Sequence, residues 1–200
     1  MKPHPDPKVA LEQYTIPADL AADILFTACY IHNDVRGKRV LDLGTGTGRL
    51  ALGASILRAG YVVGVDVDAS SIEQAAIAAK SLRVHVDFVH GMVDTIHGPV
   101  DTVLMNPPFG TKKRHADIEF LKTALKVGRT VYSIHKSSTR EFLERWLQKR
   151  GFNVERLLVA EMEIPHQFSF HRKRRQTVSV DAIRITRRRS CSEIRPYIVA

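Results

Sequence analysis

Asn106-Pro107-Pro108-Phe109 follows an apolar run, Val103-Leu104-Met105, and its groups suit one kind of ligand. Proline fixes φ and donates no backbone hydrogen bond, so a carbonyl beside it can turn outward. The Asn106 side-chain oxygen and the Pro107 carbonyl can accept both hydrogens of an exocyclic amine, and Phe109 can stack on the ring that carries it. The same residues also fit a plain Pro-Pro turn ending a strand. A second motif weighs against that. In Gly44-Thr45-Gly46-Thr47-Gly48 the alternate glycines let the backbone turn sharply and approach a ligand closely. A helix amino-terminus behind them offers unsatisfied N–H groups. Asp66, ending the next apolar run, can accept bonds from both hydroxyls of a ribose. This combination reads as a nucleoside-cofactor site, although Gly46-x-Gly48-x-x-Ala51 also meets the loose dinucleotide fingerprint.

The elements that must position these groups alternate along the chain. Residues 1–10 read as a flexible arm. Pro17 opens an amphipathic helix to about Tyr30, with Leu20, Ala21, Ile24, Leu25 and Ala28 at helical spacing. Strands are predicted over 39–43, 61–65, 84–89, 100–105 and 130–134. Ser70-Ser71-Ile72-Glu73 reads as a capping box opening a helix to about Lys80. Ile118, Leu121, Ala124 and Leu125 mark another helix. Ser138-Thr139-Arg140-Glu141 caps one more, with Ser137 and Ser138 as caps rather than catalysts and Gly151 as its stop. Two closing strands, 154–162 and 177–185, have no helix between them and make an antiparallel pair. In the last, Val178 and Val180 share one face and Ile183 and Ile185 the other, so it bulges or is buried on both sides. The result is an α/β, doubly wound Rossmann-like sheet, mostly parallel with a carboxy-terminal antiparallel hairpin, in one domain spanning 1–200. Ligands in such sheets sit beyond the carboxyl ends of the strands, where both motifs lie. The tail 190–200 is unassigned.

The chain has 200 residues with 30 Lys and Arg against 21 Asp and Glu, a net charge of +9. That excess implies a polyanionic partner, and it is clustered at 171–175 and at Arg187-Arg188-Arg189. No run is long and apolar enough for a membrane span, and no signal peptide opens the chain. Cys29 and Cys191 are far apart, and the nine histidines show no ligand spacing, so neither a metal nor a disulfide is indicated and a cytoplasmic setting is expected. Cys29 reads as core, and His135 as a supporting or structural group.

Asp-Leu-Gly-Thr-Gly-Thr-Gly at 42–48 resembles the first motif of class I S-adenosylmethionine-dependent methyltransferases. Asn-Pro-Pro-Phe resembles the motif of those that methylate exocyclic base amines or glutamine amide. Further strings, Leu-Glu-Gln-Tyr at 11–14, Met-Asn-Pro-Pro-Phe-Gly-Thr-Lys at 105–112, Phe-Leu-Lys-Thr-Ala-Leu at 120–125 and His-Lys-Ser-Ser-Thr-Arg-Glu at 135–141, are similar to a methyltransferase-like family. Its eukaryotic member makes N6-methyladenosine in small-subunit ribosomal RNA. The resemblance implies S-adenosyl-L-methionine as cofactor, contacted by Gln13, Thr15, Asp42, Gly44, Thr47, Arg49 and Asp66, with Met92 and Val93 flanking its adenine. It implies catalysis at Asn106, Pro107, Pro108 and Phe109. Two departures stand out: Thr15 follows Tyr14 directly where the family has Pro-Thr, and Met92 stands where the family has an acid, with Asp94 as its candidate replacement.

RNA is the expected substrate, and its target base must be unpaired or flipped to reach the notch. Lys112, Lys113, Arg114, Lys136, Arg172, Lys173, Arg174 and Arg175 are expected on phosphates, with Phe168 or Phe170 stacking on a base. By resemblance, a small zinc-ribbon activator protein docks along the 84–89 edge. Competing readings are a glutamine-amide methyltransferase acting on a release factor, an RNA-binding assembly factor without turnover and, more distantly, an NAD-dependent dehydrogenase.

Overall fold

Seven strands form one sheet in the order β3-β2-β1-β4-β5-β7-β6. The computed structural model describes residues 15–109, 116–165 and 175–188. The strands are β1 (Arg39–Leu43), β2 (Tyr61–Asp66), β3 (Asp87–His90), β4 (Val100–Met105), β5 (Gly128–Lys136), β6 (Phe152–Pro165) and β7 (Arg175–Arg187). The helices are α1 (Ala18–Phe26), α2 (Arg49–Ile56), α3 (Ala69–Leu82), α4 (Ala116–Val127) and α5 (Arg140–Gln148). β1 to β5 run parallel, while β7 is antiparallel to both β5 and β6. The mixed, doubly wound sheet is therefore as the element pattern predicts.

Two apolar layers sandwich the sheet. On one face α1 and α2 bury Leu20, Ile24, Leu25 and Leu50 against Leu104, Tyr132 and Ile134. On the other, α4 and α5 bury Ile118, Leu121, Leu143 and Leu147 against Leu43, Val103 and Val131. Each such side chain contributes about 1.5–3 kcal/mol of transfer free energy. Parallel strands covered on both sides need apolar residues on both faces, which β1 supplies at Val40, Leu41 and Leu43 and β4 at Val103, Leu104 and Met105.

Four local expectations are corrected. α3 is capped not by Ser70 or Ser71 but by Asp68, whose side chain accepts from the Ser71 N–H at 3.3 Å and from the Ser71 hydroxyl at 2.9 Å. The edge strand is only Asp87–His90, so Val84 and Val86 precede it. α1 continues as a π-helix over Thr27–Ile31. Ser137 caps no helix: its hydroxyl donates to Asp181 Oδ1 at 2.8 Å, and α5 starts after Thr139 with no side-chain cap. The question of β7 also closes. Its register against β6 shifts between Arg156 and Leu158, so the bulge lies in β6. β7 itself is internal and buried on both faces, with Val180 and Ala182 in one layer and Ile183 and Ile185 in the other.

Candidate active site

Three functional segments leave the sheet from one row of paired residues. Leu43 pairs with Val65 on one side and with Met105 on the other. Gly44 and Asn106 are therefore the first residues beyond β1 and β4, and Asp66, the last residue of β2, stands level with them. β1 and β4 are also where the winding reverses, the place where such sheets open a crevice.

The glycine turn is held from below. Gly44 N–H and Thr45 N–H both donate to the Val65 carbonyl at 2.9 Å. Asp42 is 1% exposed, and its Oδ2 accepts from the Thr45 hydroxyl at 2.7 Å and from Ala51 N–H at 3.0 Å. Burial pushes its carboxyl up to about 7, against the pull of those two donors. Asp42 thus lies beneath the turn and ties it to α2, a positioning role and not a surface for a cofactor. Gly48 has φ +84°, and a Cβ there would meet Ala75 Cβ at 3.0 Å and Phe88 Cζ at 3.2 Å, so neither side chain nor ordinary backbone suits it. A Cβ on Gly44 would meet Phe120 of α4 at 2.8 Å, which seats α4 against the turn.

Asp66 is 8% exposed; its Oδ2 accepts from Gly46 N–H at 2.8 Å and its Oδ1 from Asp68 N–H at 2.9 Å. Burial raises its carboxyl above the ordinary value, opposed by those two bonds. Each oxygen keeps a lone-pair direction for a further donor. Beside it Gly91 N–H donates to the Asp66 carbonyl at 2.9 Å, bringing the 91–95 segment alongside. Met92 and Val67 expose apolar side chains there, 58% and 51% accessible, whereas Val93 packs into the core layer under α4. Val67, directly after Asp66, is a further exposed apolar side chain at this edge. Asp94 lies exposed in the short 3-10 turn Val93–Thr95.

Arg49 donates to the Ile16 carbonyl, fastening the segment after Thr15 to the start of α2. Thr47 is buried within the turn. Asn106 is half-buried with its Oδ1 enclosed. Phe109 packs at the edge of the α1-side layer, and the Lys136 ammonium lies 5.6 Å from its ring centroid. Lys136 is thus brought to the aromatic wall itself. On the opposite face His135 is 2% exposed, with Nε2 2.7 Å from the Ser133 hydroxyl and Nδ1 3.8 Å from Asp117. Cys29 is buried. Gln13, Lys112, Lys113, Arg114, Phe168, Phe170, Arg172, Lys173 and Arg174, the arm 1–10 and the tail 190–200 lie outside the described residues, and Arg175 is described by its backbone alone. Among the described residues no group of three or more His, Cys, Asp or Glu could hold a metal, and no helix is long and apolar enough to cross a membrane.

A methyltransferase small-domain model matches residues 17–130, more than half the chain. The chain belongs to this methyltransferase family. It is 41% identical over 197 residues to the uncharacterized protein MJ0284 of Methanocaldococcus jannaschii, covering 92% of this chain and 89% of that one. It is 35% identical over 190 residues to the rRNA N(6)-adenosine-methyltransferase METTL5 of Danio rerio, covering 90% and 91%. A crystal structure of PH1948 from Pyrococcus horikoshii, described as a candidate RNA methyltransferase, superposes with a TM-score of 0.86 at 39% identity over 94% of this chain and 93% of that one. For the methyltransferase, S-adenosyl-L-methionine is the cofactor. The residues present fit it: a glycine turn with positive φ at 44, 46 and 48, a helix amino-terminus, a carboxylate for the ribose and exposed apolar side chains at 67 and 92.

Proposed function

We propose that the protein transfers the methyl group of S-adenosyl-L-methionine to the N6 amine of an unpaired or flipped adenosine in RNA, in particular small-subunit ribosomal RNA. The observation that carries this reading is the Leu43–Met105 pairing, which makes Gly44 and Asn106 neighbours at the crevice. Resemblance to the rRNA adenosine methyltransferases supports RNA as the substrate class.

When bound, the cofactor supplies an electrophilic methyl on a cationic sulfur. The chain does the rest by placement. Asp66 would hold the ribose of the cofactor, and the exposed Val67 and Met92 would flank its adenine. Asn106 Oδ1, on turning out of its enclosed position, and the Pro107 carbonyl accept the two hydrogens of the target amine. That orients its lone pair along the line of transfer and enriches the nitrogen, whose electrons are otherwise drawn into the ring. Phe109 stacks on the base, which displaces the Lys136 ammonium toward the phosphate of the flipped nucleotide. No strong base is needed, because the nitrogen loses its proton after transfer. A zinc-ribbon activator along β3 belongs to the same proposal. Val89, 41% exposed, is the apolar residue of that strand free to meet it, since Phe88 packs inward.

The test is incubation of the protein with radiolabelled cofactor and either small-subunit ribosomal RNA or a protein extract. Label should enter RNA as N6-methyladenosine. In Asn106→Ala the rate should fall by about 100- to 1,000-fold with cofactor affinity retained. Label in protein alone, or near-normal turnover of the variant, would refute the assignment.

A further inference from the structure

At the opposite end of the strands from the crevice, Asn153, Arg184, Thr186, Arg187 and Arg188 line an open polar cleft of about 600 Å³. Nothing in the methyl-transfer reading uses it. We propose that this cleft is a second RNA-backbone site, which grips phosphates flanking the target nucleotide; the inference rests on RNA being the substrate.

The guanidinium groups are set in advance. Arg184 is fixed by Asp34 at 2.9 Å, by the Tyr132 hydroxyl at 3.2 Å and by Glu155 at 3.4 Å. Arg187 donates to the Leu125 carbonyl at 3.3 Å and lies 5.3 Å from the Phe152 ring centroid. Asp34 and Glu155 offset the charge of Arg184. Arg187 and Arg188 meet no carboxylate among the described residues, so the net field of the cleft is positive. Asn153 and Thr186 add neutral donors, the mixture that binds phosphate oxygens without reading bases.

Position favours RNA over other anions. Lys136 pairs with Val180 and Thr130 with Thr186, so the cleft lies six residues down β7 from Lys136, or about 20 Å. Thr186, Arg184 and Val180 share the α1-side face on which Tyr132, Ile134 and Lys136 also lie. Tyr132, Ile134, Val180 and Ala182 between the two places are buried under α1, so a strand seated at Asn106 reaches the cleft only over the outside of the molecule, across a span of at least about 20 Å.

The test uses Arg188→Glu with Asn153→Asp, both at exposed positions, and Arg188→Lys as rescue. Binding is read by fluorescence anisotropy with S-adenosylhomocysteine present. One probe is a short adenosine-containing single strand and the other a full small-subunit ribosomal RNA transcript. The double variant should bind the transcript about tenfold more weakly, with a salt slope lower by about one or more, and bind the short strand unchanged. Arg188→Lys should retain the slope. Unchanged affinity for the transcript, or an equal loss toward the short strand, would overturn the proposal. Because binding is read without turnover, a protein that binds RNA through the cleft but transfers no methyl would fail only the functional assignment.

Discussion

Arg140 and Asp181 meet as a two-pronged pair, Nε to Oδ2 at 2.6 Å and Nη2 to Oδ1 at 2.7 Å, with the carboxylate almost fully buried. The pair fastens the start of α5 to the centre of β7, and the Ser137 hydroxyl joins it at 2.8 Å. The turn that follows Lys136 is therefore pinned to the sheet. The Arg140 guanidinium holds the Asp181 carboxyl below its ordinary value, against burial. A depressed folded value means the stabilisation is present above the ordinary carboxylate range and is lost as pH falls through the folded value. Asp181→Ala should cost about 2–3 kcal/mol at neutral pH, and the gap in Tm from the parent should narrow below about pH 4. Thermal unfolding across pH 3–8 checks this, and a constant gap would exclude the ion pair as its cause.

Asp66 supports the glycine turn, and its proposed hold on the cofactor ribose can be tested apart from that. Asp66→Ala removes the acceptor for Gly46 and Asp68 N–H together with the proposed ribose acceptor. S-adenosylhomocysteine binding, measured by calorimetry, should weaken by about 10- to 100-fold with a lower Tm. Asp66→Asn keeps an acceptor oxygen and should lose less of both. Wild-type affinity in Asp66→Ala would remove the carboxylate from the site.

Asp42 behaves in the opposite sense to Asp181. Burial raises its carboxyl to about 7, so between about pH 4 and 7 the folded state holds a proton that the unfolded chain has lost. The contribution turns unfavourable as pH rises through that window and levels above it. Asp42→Asn keeps an acceptor for Thr45 and Ala51 and cannot ionise. Its Tm relative to the parent should be higher at pH 8 than at pH 4.5. A difference independent of pH would show that Asp42 does not carry this titration.

Gly48→Ala tests the turn itself. The substitution imposes a side chain at φ +84° and drives Cβ to 3.0 Å from Ala75 Cβ. A loss of about 1–3 kcal/mol is expected, together with weaker cofactor binding as α2 shifts. Gly98→Ala, also at positive φ but with nothing within 4 Å of its Cβ, separates backbone strain from crowding. Equal losses at both positions would leave no part for Ala75 and Phe88.

The alternation of elements, the bounds of β1 and β4 and the two motifs at their ends were all readable from residue order. Short, mostly apolar runs closed by Gly or Asn-Pro encode a buried parallel strand locally, and the glycine turn needs only its own φ preferences. Ser70 and Asp68 are both good N-cap residues, and residue order alone cannot choose between two valid caps two positions apart. Chain order alone also pointed to a nucleoside cofactor at the glycine turn. Only the tertiary structure decided how the groups meet: that Leu43 pairs with Met105, that Asp42 supports the turn from beneath, that Lys136 stands at Phe109, and that Arg184, Arg187 and Arg188 shape a cleft about 20 Å away. Those facts depend on strand order and register between segments tens of residues apart, and side-chain periodicity specifies a face of each strand but not which strand lies beside it.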